Sequence, residues 1–390
     1  LKFNLFKMSL YEGKTVTQER PALVFDIGYA YTKFGFAAEY CPRCIIPSKI
    51  TCEKTRKVKL IHEYNDRREL YDNLVDFIQQ ICFRYGQVSP KDRKAVIVES
   101  LLCPTIFRET LAKVLFSHFE VNGILFLPSH IISLATLAVE TALVVDLGYK
   151  EAVCIPVYCG VAVLHAWQAQ PLCASVIYDK IRSELVPQLP SGKELSEDVL
   201  ENIAVRTCFV TTLERAAQYR EGNPPHPPPS VSYPLDGSIL LNISGQLRET
   251  VYEQLFPVDN DHMGLGNIIL DAIIKCPIDM RVQLANNILL MGGVSMATGI
   301  KSRIKAELLN LSSTEKYNIP ALKVFKFHTS PSKPNYTAWL GGAIYGGTDL
   351  INTRSLTKEM YAKNSHVPDW SNLLDNLPNY NNETRCIGSK

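Results

Sequence analysis

Short apolar runs alternate with segments of helical hydrophobic period along most of the chain. Residues 22–27 and 31–37 predict two buried strands joined by a tight turn at Gly28. Residues 70–85 predict a helix, because the apolar positions 70, 74, 75, 78, 81 and 82 share one face. The same patterns predict further strands at 95–98, 123–127, 143–146, 152–157, 161–165 and 288–291, and further helices at 105–119, 129–138, 178–185, 197–207, 249–256, 265–275 and 299–311. This alternation is typical of an α/β protein whose sheets are covered by helices.

One stretch interrupts the pattern. Residues 221–234 contain six prolines together with glycine and asparagine, which predicts a surface loop or a polyproline segment. An SH3-type ligand is one interpretation of such a run, but a solvated connector is the favoured one.

Composition narrows the class of protein. A hydrophobic fraction of 46% with 21% charged residues excludes a disordered tail, a coiled coil and a collagen-like chain. The net charge of +2 disfavours nucleic-acid binding, and we expect no membrane insertion because no apolar run reaches about 18 residues. The 11 cysteines, an odd number scattered through apolar segments, predict reduced thiols and a cytoplasmic location. We expect the natural chain to begin at Met8.

An internal repeat predicts two related halves. The sequence Val-Phe-Asp-Ile-Gly at 24–28 recurs as Val-Val-Asp-Leu-Gly at 144–148, each time followed by a second β-rich stretch. Two copies of an apolar strand that ends in Asp and turns at Gly indicate duplicated lobes that face each other.

The repeated turns suit a nucleotide phosphate. Backbone N–H groups can converge at a turn where glycine leaves room, at Gly28 in one copy and Gly148 in the other. Asp26 would hold a hydrated Mg²⁺, and Lys33 on the next strand could reach an anionic oxygen. The pair Gly292 and Gly293, after a third strand, would admit a base or ribose. Taken singly, each motif is more often a plain structural turn.

In this order, the motifs resemble those of actin. The matching segments are 23–28 and 32–37, 42–48, 145–148 with 155–160, 277–281, 292–293 and 339–343, so the likeness runs from about residue 22 to residue 363. The resemblance implies an actin-like duplicated two-lobe, four-subdomain clamp that holds ATP or ADP with Mg²⁺ in a central cleft. It implies a small lobe at 8–136 completed by 335–390, and a large lobe at 137–334 whose outer subdomain is 173–261. The nucleotide-binding residues implied are Asp26, Gly28, Lys33, Asp146, Gly148, Gly292 and Gly293.

Departures from actin predict that the chain does not hydrolyse its nucleotide. The Gln and His that orient actin's attacking water fall at Ser129, which is too short, and at Val153, which cannot form hydrogen bonds. Tyr149 and Lys150 replace an acid and a glycine in the second turn. We therefore expect no catalytic residues and a structural role for any bound nucleotide.

The region of actin's second subdomain is shortened to about residues 48–69. Together with the runs at 44–48, 103–111 and 367–370, this feature resembles an actin-related subunit of dynactin at the pointed end, a non-catalytic structural component. The resemblance implies a hetero-oligomer with the centractin filament and the pointed-end subunits of dynactin as partners, with dynein an indirect partner, in the cytoplasm and cytoskeleton. A self-polymerising ATPase and a nuclear subunit of a chromatin-remodelling complex remain as alternatives.

Overall fold

The computed structural model describes residues 20–51, 58–236, 239–257, 263–318 and 322–369. The expected start at Met8 lies outside these residues. The chain forms two compact units: the described residues 20–129 and 342–369 make the first, and 130–341 make the second. Among the described residues, no helix is both long enough and apolar enough to cross a bilayer.

The regular elements follow in chain order. The strands are β1 (Leu23–Ile27), β2 (Tyr31–Phe36), β3 (Cys44–Pro47), β4 (Lys49–Thr51), β5 (Val58–Leu60), β6 (Lys94–Glu99), β7 (Gly123–Pro128), β8 (Ala142–Leu147), β9 (Ala152–Tyr158), β10 (Val161–Ala162), β11 (Gln168–Gln170), β12 (Val231–Asp236), β13 (Ile239–Ile243), β14 (Ile288–Met291) and β15 (Leu356–Thr357). The helices are α1 (Arg67–Gln79), α2 (Thr105–Lys113), α3 (Ser129–Ala135), α4 (Ala174–Leu185), α5 (Glu197–Thr207), α6 (Leu213–Arg220), α7 (Gly245–Thr250), α8 (Leu265–Lys275), α9 (Ile278–Ala285), α10 (Ile300–Leu311), α11 (Thr337–Gly346), α12 (Leu350–Thr353) and α13 (Lys358–Asn364).

The first unit is built on a six-stranded sheet in the order β15-β7-β6-β1-β2-β3. Strand β1 lies inside this sheet, parallel to β6 and antiparallel to β2. Leu23, Val24 and Phe25 are fully buried because strands flank β1 on both sides and helices cover the sheet, as a continuous apolar run predicts. The core formed on α1 and α2 includes Leu23, Phe25, Phe34, Leu74, Phe77 and Leu111.

The second unit repeats this arrangement. Its five-stranded sheet has the order β10-β9-β8-β14, with β11 paired to β9. Strand β8 is antiparallel to β9 and parallel to β14, as β1 is to β2 and β6. Its larger core surrounds the apolar helix α8 and includes Leu143, Val145, Ile268, Ile269, Leu270 and Ile304. The α/β fold of two similar units expected from the sequence repeat is confirmed.

Several predicted boundaries were wrong. The predicted loop at 221–234 is too long, because its last four residues belong to β12, which pairs with β13 in a two-stranded sheet. Pro234 fits there because a small two-stranded ribbon tolerates a missing N–H donor. The strand predicted at 161–165 stops at Ala162, and the helix predicted at 129–138 stops at Ala135. Sequence patterns missed the short elements β3, β4, β5, α6 and α9.

A buried ion network ties α10 to the rest of the second unit. The Arg303 side chain is 1% exposed and pairs with Glu253 and Glu307. Its guanidinium also donates to the Thr211 carbonyl over 3.0 Å and lies 4.4 Å from the centre of the Phe256 ring. Since the guanidinium has five donors in a planar fork, it can hold all these partners at once.

This network predicts a large effect of truncation. Arg303→Ala leaves Glu253 and Glu307 without their buried cation, which should lower the free energy of unfolding by about 3–5 kcal/mol. Chemical denaturation checks this, with Lys305→Ala, an exposed change on the same helix, as the control. Equal losses in the two variants would contradict a structural role for the network.

Candidate functional site

The β1–β2 turn of the first unit carries three of the expected site residues. Asp26 lies near the end of β1, and the Gly28 N–H closes the turn by donating to the Tyr31 carbonyl over 3.2 Å. A Cβ on Gly28 would lie 2.7 Å from that same carbonyl oxygen, so the turn needs glycine at this position. The Gly28 N–H is therefore engaged inside the hairpin and is not one of the donors that the sequence predicted for a phosphate.

An ion pair crosses the two strands beside this turn. Asp26 and Lys33 are register partners, and their Oδ2 and Nζ atoms are 3.1 Å apart. The two side chains are 16% and 15% exposed, which leaves each within reach of a ligand while holding its direction. A phosphate that binds here would meet the ammonium of Lys33, and a hydrated cation would meet the carboxylate of Asp26.

The turn rests on residues that the sequence did not single out as a site. The buried Ser48 hydroxyl donates to the Gly28 carbonyl over 2.7 Å and lies 2.8 Å from the Thr32 hydroxyl. The Ser48 N–H donates to the Ala30 carbonyl over 2.8 Å. His62 Nε2 lies 3.3 Å from the Gly28 carbonyl oxygen. These contacts hold the turn from the side of β3 and β5.

Aromatic rings extend this support. The rings of Tyr29 and His62 stack with centroids 4.9 Å apart, and His62 stacks on Phe107 of α2 at 4.8 Å. Tyr29 directly follows Gly28 in the turn. The Tyr29 ring packs against His62 of the same unit. No sequence signal connected these three rings, because they come from separate elements of the fold.

The β8–β9 turn of the second unit repeats the first in backbone but not in charge. The Gly148 N–H donates to the Glu151 carbonyl over 3.1 Å, as Gly28 does to Tyr31. Asp146 takes the place of Asp26, and its register partner is Val153, seven residues later, as Lys33 is for Asp26. The position that Lys33 holds opposite Asp26 in the first turn is thus occupied by an apolar residue opposite Asp146 in the second.

The third glycine motif packs directly against Asp146. Gly292 has φ +90°, a backbone conformation that favours glycine, and its N–H donates to the Pro334 carbonyl over 2.9 Å. A Cβ on Gly292 would lie 2.5 Å from Asp146 Oδ1 and 2.3 Å from the Leu147 carbonyl oxygen. Gly293 differs, since a Cβ there would meet no atom within 4 Å. Open space at Gly293 suits the close approach of a ligand to the backbone.

The expected site residues therefore form two groups. Asp26, Gly28 and Lys33 lie together in the first unit, and Asp146, Gly148 and Gly292 lie together in the second, with Gly293 beside them. Within the described residues, no group of three His, Cys, Asp or Glu side chains could hold a metal ion. A single carboxylate such as Asp26 suits a Mg²⁺ ion that keeps most of its water ligands.

The two positions expected to replace actin's water-orienting residues are both enclosed. Ser129 begins α3 and is 8% exposed, and Val153 in β9 is 5% exposed. Next to Ser129, burial lowers the pKa of the His130 imidazole to about 3, so this ring is neutral at physiological pH. A neutral, enclosed imidazole is poorly suited to accept a proton in catalysis.

The glycine pair gives a matched test. Gly292→Ala places a methyl group against the Leu147 carbonyl in a strained conformation, so it should lower the free energy of unfolding by roughly 2 kcal/mol or more. Gly293→Ala adds the same atom in open space, and Gly293 has φ −64°. It should therefore leave stability nearly unchanged. Thermal and chemical unfolding of both variants checks this, and equal destabilisation would refute the packing at Gly292.

Comparisons with known proteins identify a family whose sequence model covers both hairpins. The sequence model of the actin family, described as "Actin", matches residues 17–195 and 193–367. The chain is 26% identical over 440 aligned positions to actin-related protein 10 of Dictyostelium discoideum, an alignment that covers 93% of this chain and 91% of that protein. It is 22% identical over 382 positions to actin-like protein 9 of Rattus norvegicus, which covers 92% and 90%.

The family match spans nearly all of the described residues, including both Asp–Gly turns and the glycine pair that packs on the second turn. Together with the repeated sheet of the two units, it shows that this chain belongs to the actin family.

Proposed function

We propose that the chain is a non-catalytic, structural actin-related subunit that ends the actin-like filament of dynactin at its pointed end and supports dynein-driven transport. The family match and the similarity to a relative named actin-related protein 10 support the actin-related part of this proposal. The position at a filament end rests on the shortened segment at 48–69.

The observation that carries the proposal is how this segment lies on its own unit. The Ile61 side chain is fully buried, and its N–H donates to the Ser48 carbonyl over 3.0 Å. Lys59, the middle residue of β5, pairs with Glu69 of α1 at 2.6 Å. The hydrogen bond from Lys59, helped by the Asn65 N–H, lowers the pKa of the Glu69 carboxyl to about 2. The described part of the segment is thus fastened to the first unit at both ends.

A fastened segment has a consequence for assembly. In the actin family, the second subdomain projects toward the pointed end, and its loop inserts into the next subunit. The described part of this short segment, held by Ser48 and Glu69, is a poor insert for a neighbour. A subunit that can bind only one neighbour terminates a head-to-tail chain, which would otherwise keep growing. The surface that remains exposed is then available to other pointed-end subunits.

The same proposal assigns a structural nucleotide. Lys33 would contact the phosphates, and Asp26 would hold a hydrated Mg²⁺. In the second unit, the proposed nucleotide-binding residues are Asp146, Gly148, Gly292 and Gly293. ATP or ADP supplies negative charge that these groups neutralise, and its binding stabilises the folded protein by mass action. Ser129 is shorter than the glutamine it replaces, and the Val153 side chain cannot form hydrogen bonds, which supports slow or absent turnover.

Labelling of assembled dynactin tests the position. A tag fused after residue 390 should appear once per complex, at one end of the filament, when purified dynactin is imaged by electron microscopy. The same tag on centractin is the control and should appear along the filament. Labels at interior positions would contradict the capping role. Recovery in a chromatin-remodelling complex, or growth of filaments from the purified chain alone with ATP hydrolysis, would favour one of the alternatives.

Paired variants test the nucleotide. Mg-ATP at about 100 times its Kd should stabilise the protein by ~2.7 kcal/mol. Asp26→Asn and Lys33→Met break the same ion pair, so their shared loss of stability reports on that pair alone. In the Asp26→Asn variant alone, Mg²⁺ should no longer affect how strongly ATP stabilises the protein. In the Lys33→Met variant, ATP binding should be weaker both with and without Mg²⁺.

Thermal melts with ATP, with and without Mg²⁺, measure these effects, and Asp279→Asn at an exposed position is the control. Identical shifts by ATP in all variants would exclude binding at this site. Single-turnover assays on the same samples should show negligible hydrolysis, and turnover at the rate of polymerised actin would overturn the structural role.

A further inference from the structure

The proline-rich run at 223–230 has a regular pattern of exposure. It has no helix or strand, and it lies on the second unit between α6 and β12. Asn223 and Pro224 are exposed, Pro225 is half-buried, His226 and Pro227 are exposed, and the pattern repeats from Pro228. A period of three residues is that of the polyproline II helix, which has three residues per turn and no internal hydrogen bonds.

The inner edge of this run is fixed to the protein. The Arg215 guanidinium donates to the His226 carbonyl over 3.0 Å, and Arg248 donates to the Pro229 carbonyl. A Cβ on Gly245, at the start of α7, would lie 1.6 Å from the Pro228 carbonyl oxygen. Glycine at this position therefore lets the run lie against the helix. The contacts hold one edge of the run and leave the other two edges outward.

The outward edges carry a recognisable pattern. Domains that bind polyproline II helices accept proline-rich PxxP segments in aromatic-lined grooves. Asn223-Pro224 and His226-Pro227 are two such X-Pro pairs, separated by the half-buried Pro225. The X-Pro pairs lie on the two outward edges, and the half-buried Pro225 lies on the inner edge. The run therefore exposes to solvent the residues that such a groove binds.

We propose that residues 223–228 are a docking site for a protein domain with an aromatic-lined groove of the SH3 or WW class. The run is held in place before it binds, so little conformational entropy is lost on docking. The nearby cations are engaged internally, Arg215 with Glu249 and Arg220 with Glu253. Recognition therefore rests on the prolines and not on a charged flank. This inference goes beyond the proposed function and does not depend on it.

Another PxxP sequence of the chain, at residues 187–190, serves as a control. Pro187 and Pro190 have the same spacing and are both exposed. Pro187, however, lies in the 3₁₀ turn Val186–Gln188, and the Lys193 N–H donates to the Pro190 carbonyl over 3.2 Å. Pro187 and Pro190 therefore lie in turns and not in a polyproline II helix, the conformation that such grooves bind.

The experiment uses the full purified chain against an array of purified SH3 and WW domains. At least one domain should bind, and Pro224→Ala with Pro227→Ala should weaken that binding about tenfold or more, since both anchoring rings are lost. Pro187→Ala with Pro190→Ala should leave it unchanged. Replacing the groove tryptophan of the bound domain by Ala should abolish binding to the native chain.

The outcomes separate docking from a purely structural role. Thermal midpoints of both double variants should equal that of the native chain, because the changed prolines at 224 and 227 are exposed. Absence of binding by every domain, or binding that both double variants weaken equally, would overturn the proposal. A loss of stability with Pro224→Ala and Pro227→Ala, without a bound domain, would show that the run only braces the unit.

Discussion

Close backbone approach at strand-end turns is the constraint on which both units depend. At Gly28, Gly148 and Gly292 the chain passes so near a carbonyl oxygen that a Cβ would lie between 2.3 and 3.2 Å from it. At Gly28 and Gly292, where the distance is below 3 Å, only glycine permits the turn without displacement of neighbouring backbone. The turns place Asp26 beside Lys33 in the first unit and Gly292 beside Asp146 in the second. The positions of these polar groups therefore depend on how closely the backbone can approach at the turns.

The two copies of this turn have diverged in charge while keeping one backbone. The register partner of Asp26 is a lysine, and that of Asp146 is a valine. The duplicated hairpin thus places a lysine directly opposite the aspartate in the first unit only. The second copy is instead adapted to packing, because Asp146 lies under Gly292 and Val153 joins a buried strand. The two copies therefore share a backbone turn but differ in the residue that faces the aspartate.

Surface elements of the second unit are held by arginines in different ways. Arg303 is enclosed and neutralised by two carboxylates, so it fastens α10 from within. Arg215 pairs with the buried Glu249 and still reaches the His226 carbonyl at the surface. Since one guanidinium can serve an internal and an external partner, the proline-rich run is fixed without a hydrophobic core of its own.

The local features of this protein could be predicted from short runs of residues. The apolar runs predicted β1, β2, β8 and β14, and the repeated Asp-x-Gly revealed the duplication, because strands and glycine turns depend on neighbouring residues. Contacts between distant groups, by contrast, were apparent only in the folded structure. Ser48 and His62 support the Gly28 turn from 20 and 34 residues away, and Gly292 meets Asp146 across parallel strands. Such contacts depend on sheet register and on helix packing, which no short pattern contains. For the same reason, the contact between Pro228 and Gly245 could not be predicted from the sequence. Composition alone indicated only that this proline-rich run is a connector.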